Sequence, residues 1–404
     1  MRILPLRPVQ RLAAAAFLSL LGLGGLAGGM PASAAEGFPA CLAERSGGVA
    51  ADRVQALARG FNIPSWMDRP DGKTPSRTVL RHLRLLGMTH VRLPVRGELV
   101  MARFMDPTAV AAQLSALRGA LSLLLDEGYA VSVDLHPGGP FADLYKSDPE
   151  AAAKAVENAW DNLASVITQF PPDRIFAEVL NEPVTDEDTW RVHLPRFLAH
   201  MRALMPETTL IAEPYGPQRP EVLLGMKPVD DPNVVYAVHF YDPMAFTHQG
   251  LTWSTDADPL THLKNVPFPA SKTDPAIRQL LIDLRAEGHA ASSRFLDSSL
   301  SRDWTPHSAD RLFEAVADWS AKNNRVVILN EFGVLRFAAQ PDDRARWLAS
   351  VVTAAEDKGC VGWTHWDFAD GFGLLDPSTG LPDPLVMKAL FEPEALLSDR
   401  SPGN

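Results

Sequence analysis

The sequence predicts an α/β fold, a single (β/α)8 TIM barrel with a long insertion after the sixth strand. Three observations point there: eight short β-branched or apolar runs, amphipathic stretches between them, and a polar, aromatic or charged end to nearly every run just before a Pro or Gly. Strand and helix alternating eight times without a long polar linker is the pattern of a closed parallel barrel, whose strand ends carry its sites. A doubly wound open sheet also alternates, but it would normally place a glycine-rich phosphate turn after an early strand. None is present.

Taken in order, the first 35 residues are set aside as a secretory signal. Arg2, Arg7 and Arg11 precede the apolar run LAAAAFLSLLGLGGLAGG, and an A-x-A-like site follows at Ala32, Ser33 and Ala34. Cleavage there, rather than an uncleaved anchor, leaves residues 36–404 as one barrel domain. No second run reads as long enough to span a bilayer, so no membrane contact is expected after cleavage.

The eight strand candidates are GFNIPSWMD (60–68), THVRLPV (89–95), YAVSVDLHP (129–137), IFAEVLNEP (175–183), TTLIAEPYG (208–216), VVYAVHFYDP (234–243), RVVILNEFGV (325–334) and GCVGWTHWDF (359–368). Helical periodicity marks Pro75 to Gly87, Pro107 to Gly128, Glu150 to Phe170, Thr189 to Met205, Ser308 to Asn323 and Asp342 to Gly359. From about Met244 to Pro306 the repeat is interrupted by FTHQGLTWS, NVPFPA and a helical stretch near Ile277 to Gly288. A connection of that length at the carboxyl rim of a barrel is expected to shape a binding cleft.

A formal net charge of −11 argues against a nucleic-acid partner, which needs a basic face to neutralise phosphates. Two cysteines, Cys41 and Cys360, can pair in an oxidising compartment or stay as free thiols. There is no H-E-x-x-H, no G-x-S-x-G elbow and no P-loop, so no cofactor or metal is expected.

Glu182 ends the fourth run and Glu331 the seventh, each directly after an Asn, at Asn181 and Asn330. Two carboxyl groups facing each other across a barrel mouth meet the needs of glycosidic bond cleavage: one protonates the leaving oxygen, the other attacks or stabilises the anomeric carbon. Pro183 cannot donate a ladder hydrogen bond, so the fourth strand is expected to end at or just before it and turn Glu182 into the mouth.

Six motifs in order, VRLPV with Arg92, DLHP with His136, NEP at Asn181 to Pro183, HFYDP with His239 and Tyr241, NEFG with Glu331 and WDF with Trp366, resemble the series of the cellulase-type family 5 glycoside hydrolases. The resemblance runs from about Gly60 to Phe368. It implies a clan A barrel with Glu182 as acid/base and Glu331 as nucleophile of a retaining reaction. In that frame Asn181 reaches the sugar 2-hydroxyl, Arg92 favours the ionised nucleophile and Tyr241 donates a hydrogen bond to it. His136 and His239 line the cleavage subsite, and Trp366 offers a flat platform to a pyranose ring.

Each residue keeps an ordinary alternative. The two glutamates can be solvated strand-end carboxylates, the two histidines can serve only the core, Arg92 can pair with Glu178, and Trp366 can be rim packing. Trp66, Trp253 and Trp363 are not separated by the sequence. His365 stands where the family pattern often shows an aromatic, which bears on the platform's surroundings.

The expected activity is endo-β-1,4-glucanase on a polysaccharide or oligosaccharide, by a secreted or periplasmic monomer. The alternatives are a β-1,3-glucanase, a β-mannanase, an exopolysaccharide-processing hydrolase, or a catalytically silent glycan-binding barrel.

Overall fold

Eight parallel strands pair in chain order and close on themselves: β1 (Arg59–Asn62), β2 (His90–Arg96), β3 (Ala130–His136), β4 (Ile175–Glu178), β5 (Thr209–Ala212), β6 (Val234–His239), β7 (Val327–Glu331) and β8 (Gly362–His365). The computed structural model describes residues 38–398 other than 46, 70 and 71; the leader expected over 1–35 lies outside them. Each expected strand is found; most are shorter than the runs, whereas β2 continues one residue past its run to Arg96.

Alternation along the strands divides the barrel interior into layers. Toward the amino ends the inward residues are apolar: Ala130, Phe176, Ile211, Val235, Ala237 and Ile328 are almost fully buried. One or two alternations later the same faces carry Arg92, Asp134, Glu178 and Asn330, also buried. The register sets Glu178 beside Asp134, and a shift after Val238 brings His239 beside Glu331.

Helices wrap this barrel where the periodicity places them, among them Arg77–Leu85, Pro107–Asp126, Pro149–Ile167, Glu187–Leu204, Asp310–Asn323 and Pro341–Thr353. Several start on an aspartate whose carboxylate accepts from otherwise unpaired N–H groups of the first turn, as Asp106 does from Thr108 and Ala109, and Asp186 from Thr189. Contrary to the expectation of no second apolar run, Pro107–Asp126 is long and apolar enough to cross a membrane by length and composition. It buries Leu117, Leu121 and Leu124 against the barrel.

The chain before β1 covers the amino end of the barrel. Leu42, Val49, Val54 and Leu57, in and around the helices Phe38–Glu44 and Ala51–Ala56, pack on the apolar inner layer. Cys41 and Cys360 form a disulfide there, and the Arg45 guanidinium donates to the carbonyl of Gly359 at 2.9 Å. At the opposite end the insertion after β6 carries the helices Met244–Thr247, Pro275–Ala286 and Ala290–Ser299.

Candidate active site

Arg92, fully buried on β2, organises the carboxyl end of the barrel. Its Nε and Nη2 form a forked pair with Glu178 at 2.8 Å each. Nη1 donates to Glu331 Oε1 at 2.6 Å and to Asn62 Oδ1 at 3.0 Å, while Nη2 also reaches Asn181 Oδ1 at 2.8 Å and Asp134 at 3.0 Å. Pairing with Glu178 and support of Glu331, open alternatives from the sequence, therefore coexist. One cation among three carboxylates also explains why burial, joined by the charge of Asp134, raises the Glu178 carboxyl above its ordinary range despite Arg92.

Glu331 is held from two sides, because the Tyr241 hydroxyl donates to Oε2 at 2.9 Å while Arg92 holds Oε1. Burial, then the charge of Glu331, drives the Tyr241 pKa far up, so the phenol remains a donor. Across the cleft, Glu182 Oε1 lies 3.1 Å from His239 Nδ1. A carboxylate oxygen of each glutamate and a ring nitrogen of His239 fall within 4.8 Å of one another. So short an approach of the two carboxyl groups is on the side of the roughly 5–5.5 Å spacing of retaining glycosidases and short of the roughly 6.5–9.5 Å that inversion requires. Such a trio could also ligate a cation, but the Arg92 charge against Glu331 opposes one.

Desolvation pushes the Glu182 carboxyl up, yet the His239 hydrogen bond and the charges of His239, His136 and Arg92 outweigh it and leave its pKa below the ordinary value. For His136 burial acts downward, but the Asp134 carboxylate, 2.8 Å from Nδ1, wins and raises the imidazole pKa. His136 Nε2 lies 3.3 Å from Asn181 Nδ2, and its ring lies nearly parallel to Trp366 with centroids 5.8 Å apart.

All eight residues singled out from the sequence converge here. Glu182, Glu331, His136, Asn181, His239, Tyr241 and Trp366 line one cleft of about 370 Å³, and Arg92 lies directly behind it. The path that delivers Glu182 differs from expectation. β4 ends at Glu178, five residues before Pro183, and Glu182 itself adopts the left-handed region with φ of 42°. For a non-glycine residue that conformation costs on the order of 1–3 kcal/mol and persists only where its surroundings impose it. Backbone bonds continue from Val179 to Ile211 and from Asn181 to Leu135, while the Leu180 N–H donates to Glu213 Oε1 at 3.0 Å and the Glu182 N–H to Gln218 Oε1 at 2.7 Å, so side chains after β5 take the N–H groups between and beyond them.

The cleft contains residues that the sequence did not separate out. Trp253, His248 and Met244 enter from the insertion and Phe372 from the loop after β8. Trp253 is 61% exposed, unusual for so large an apolar ring, and rests against Phe372 and His248, both of which pack on Tyr241. The insertion itself was the signal that pointed toward it. Trp363 is buried and bonded to Glu356, and Trp66 lies in a separate groove. His365, directly before Trp366, is fully buried with its ring against Phe332. Asn330, directly before Glu331, points inward and donates to Glu178 at 2.7 Å.

Residues 49–370 match the cellulase family model, glycosyl hydrolase family 5. Among characterised proteins the chain is 24% identical over 344 residues to endoglucanase 3 of Fibrobacter succinogenes, covering 80% of this chain and 51% of that protein. It is 25% identical over 240 residues to cellodextrinase A of Ruminococcus flavefaciens, covering 55% and 69%. The chain thus spans about half the length of the first of these relatives. A solved endoglucanase structure superposes with a TM-score of 0.66 at 21% identity, over 87% of this chain and 99% of that one. A hyperthermophilic endo-β-1,4-glucanase in complex with substrate gives 0.65 at 22%, over 84% and 97%.

Proposed function

Because the chain belongs to the cellulase family, glycosyl hydrolase family 5, we propose that it cleaves β-glycosidic bonds of a polysaccharide with retention, as an endo-β-1,4-glucanase. The observation that carries this reading is Glu331 held between Arg92 and Tyr241 with a carboxylate oxygen within 4.8 Å of one on Glu182. The endoglucanase relatives support the glucan substrate.

In the first step a Glu331 oxygen attacks the anomeric carbon while Glu182 gives its proton to the departing glycosidic oxygen, leaving a glycosyl ester on Glu331 and a shortened glycan. Glu182, now a carboxylate, takes a proton from water. The water oxygen attacks the anomeric carbon and releases the Glu331 carboxylate, so the configuration is retained and both residues return to their starting states. Asn181, fixed through its carbonyl by Arg92 and with its amide nitrogen 3.3 Å from His136 Nε2, has one amide N–H left for the 2-hydroxyl, and Trp366 supports the ring. The reading includes export. The arginine-led apolar leader and the Cys41–Cys360 bridge support a secreted or periplasmic enzyme, and a site complete within one chain supports a monomer.

Digestion of β-1,4-glucan, β-1,3-glucan and β-mannan with product analysis tests the substrate, and internal cleavage of the β-1,4-glucan is expected. Glu331→Gln abolishes turnover without unfolding the protein. Glu182→Gln still releases very acidic leaving groups but fails on natural glycans, since only the latter need a proton. Wild-type turnover in Glu331→Gln, or no cleavage of any glycan by the wild type, would overturn the assignment.

A further inference from the structure

We infer that Gln218, in the turn after β5, is the positioning residue that aims the Glu182 carboxyl; this rests on the acid/base role of Glu182 proposed above. Beyond β4 one ladder bond persists, from the Asn181 N–H to the Leu135 carbonyl at 2.9 Å, but none reaches Glu182, so the direction of the acid itself needs another partner. Gln218 is fully buried and supplies two acceptors to the acid side of the cleft. Its side-chain carbonyl takes the Glu182 N–H at 2.7 Å, and its backbone carbonyl takes the His239 N–H at 2.8 Å. His239 in turn lies 3.1 Å from the Glu182 carboxylate. Gln218, Glu182 and His239 thus close a ring of three hydrogen bonds in which the acid is fixed at both its backbone and its carboxyl.

Two further observations set Gln218 apart from ordinary loop packing. Glu182 and Gln218 both occupy the left-handed region, with φ of 42° and 49°, so two non-glycine residues bend toward one shared bond. The Gln218 Nε2 is buried without a partner, so the amide is placed for its oxygen alone. Neighbouring contacts run the same way, because Glu213 holds Leu180 and the Gly216 N–H donates to the Pro183 carbonyl at 2.9 Å. Burial, with the charges of Glu178 and Asp134, drives the Glu213 carboxyl far up, so that it serves as an uncharged acceptor. The turn after β5 therefore holds the backbone at Leu180, Glu182 and Pro183, with Gln218 at the acid itself.

Proton delivery needs the carboxyl aligned with the leaving oxygen, and misplacement by about 1 Å can lower the rate by about 10²-fold. Gln218→Met keeps the length and loses the acceptor, whereas Gln218→Glu keeps an oxygen where the amide oxygen stands and exchanges the unpartnered Nε2 for the second carboxyl oxygen. Each variant is compared with wild type on a β-glucan oligosaccharide and on an aryl β-glycoside with a strongly acidic phenol, following release of the first product, with a thermal melt to verify folding. Gln218→Met is expected to lose about 10²-fold on the oligosaccharide and little on the activated glycoside, and Gln218→Glu to recover most of the loss. Equal losses of Gln218→Met on both substrates, or wild-type rates on both, would overturn the inference. If Gln218→Met does not fold, Gln218→Glu decides. Near-wild-type discrimination between the two substrates supports the acceptor role, and a loss as deep as that of Glu182→Gln refutes it. Should Glu182→Gln itself show no dependence on the leaving group, the acid assignment fails instead, and the two failures are told apart.

Discussion

Replacing both Cys41 and Cys360 with Ala removes a bridge at the covered amino end of the barrel and touches nothing in the cleft. With a sequence separation of 319, the chain-entropy relation gives about 6 kcal/mol as the largest stabilisation the bridge can contribute, and loss of a native disulfide commonly costs about 2–5 kcal/mol. The lower part of that range is expected, because Leu42, Val54 and Leu57 still pack on the inner layer and Arg45 still binds the Gly359 carbonyl. Urea unfolding of the double variant beside oxidised and reduced wild type measures the difference. The reduced protein should match the double variant, and turnover well below the unfolding transition should match wild type. A loss under about 1 kcal/mol would refute the claim that the bridge stabilises the fold. Altered turnover in the folded variant would refute the separation of the two barrel ends.

Three further outcomes follow from groups already described. Because the Glu182 pKa is depressed largely through His239, the acid loses its proton early as pH rises, and the basic limb of kcat/KM is expected on the acidic side. His239→Phe should move that limb upward, and an unmoved limb would dissociate the two side chains. Trp253→Ala should raise KM up to about tenfold on glycans long enough to reach the insertion, as loss of a stacking contact would, while kcat stays near wild type; equal KM values on long and short substrates, or an unchanged KM, would remove Trp253 from the binding surface. Burial raises the Asp367 pKa to about 7, against roughly 3.9 in an unfolded chain. The protonated native state is therefore favoured below pH 4, and stability is lost as pH rises toward 7, by about 4 kcal/mol at most. Asp367→Asn should flatten that part of the urea-midpoint profile, and an unchanged slope would show that Asp367 does not titrate with folding.

Much of the fold was legible because β-branched runs alternating with 3.6-residue periodicity admit few architectures, and the barrel is one of them. The cleft residues were legible because motifs such as NEP and NEFG stand at the carboxyl ends of those runs. What escaped depended on partners distant in the chain. Nothing local in GPQRP marks Gln218 as an acceptor for a residue 36 positions earlier, and Pro183 drew attention as a strand stop when β4 already ends at Glu178 and side chains after β5 take the Leu180 and Glu182 N–H groups. The cysteine pairing depended on where the segment before β1 docks, which only the covered amino end of the barrel reveals.

Arg92 joins Asn62 on β1, Asp134 on β3, Glu178 and Asn181 around β4, and Glu331 on β7. Its contacts thus span most of the circumference of the mouth. The reactive carboxylate is not mounted on a loop that can melt while the scaffold persists; its bearing depends on the barrel being shut. Heat inactivation should therefore track global unfolding closely, with no temperature interval in which the protein is intact by circular dichroism but idle. An enzyme built this way gains little from stiffening loops away from the cleft, and resistance to heat would have to be sought in the strand pairings that keep the barrel shut.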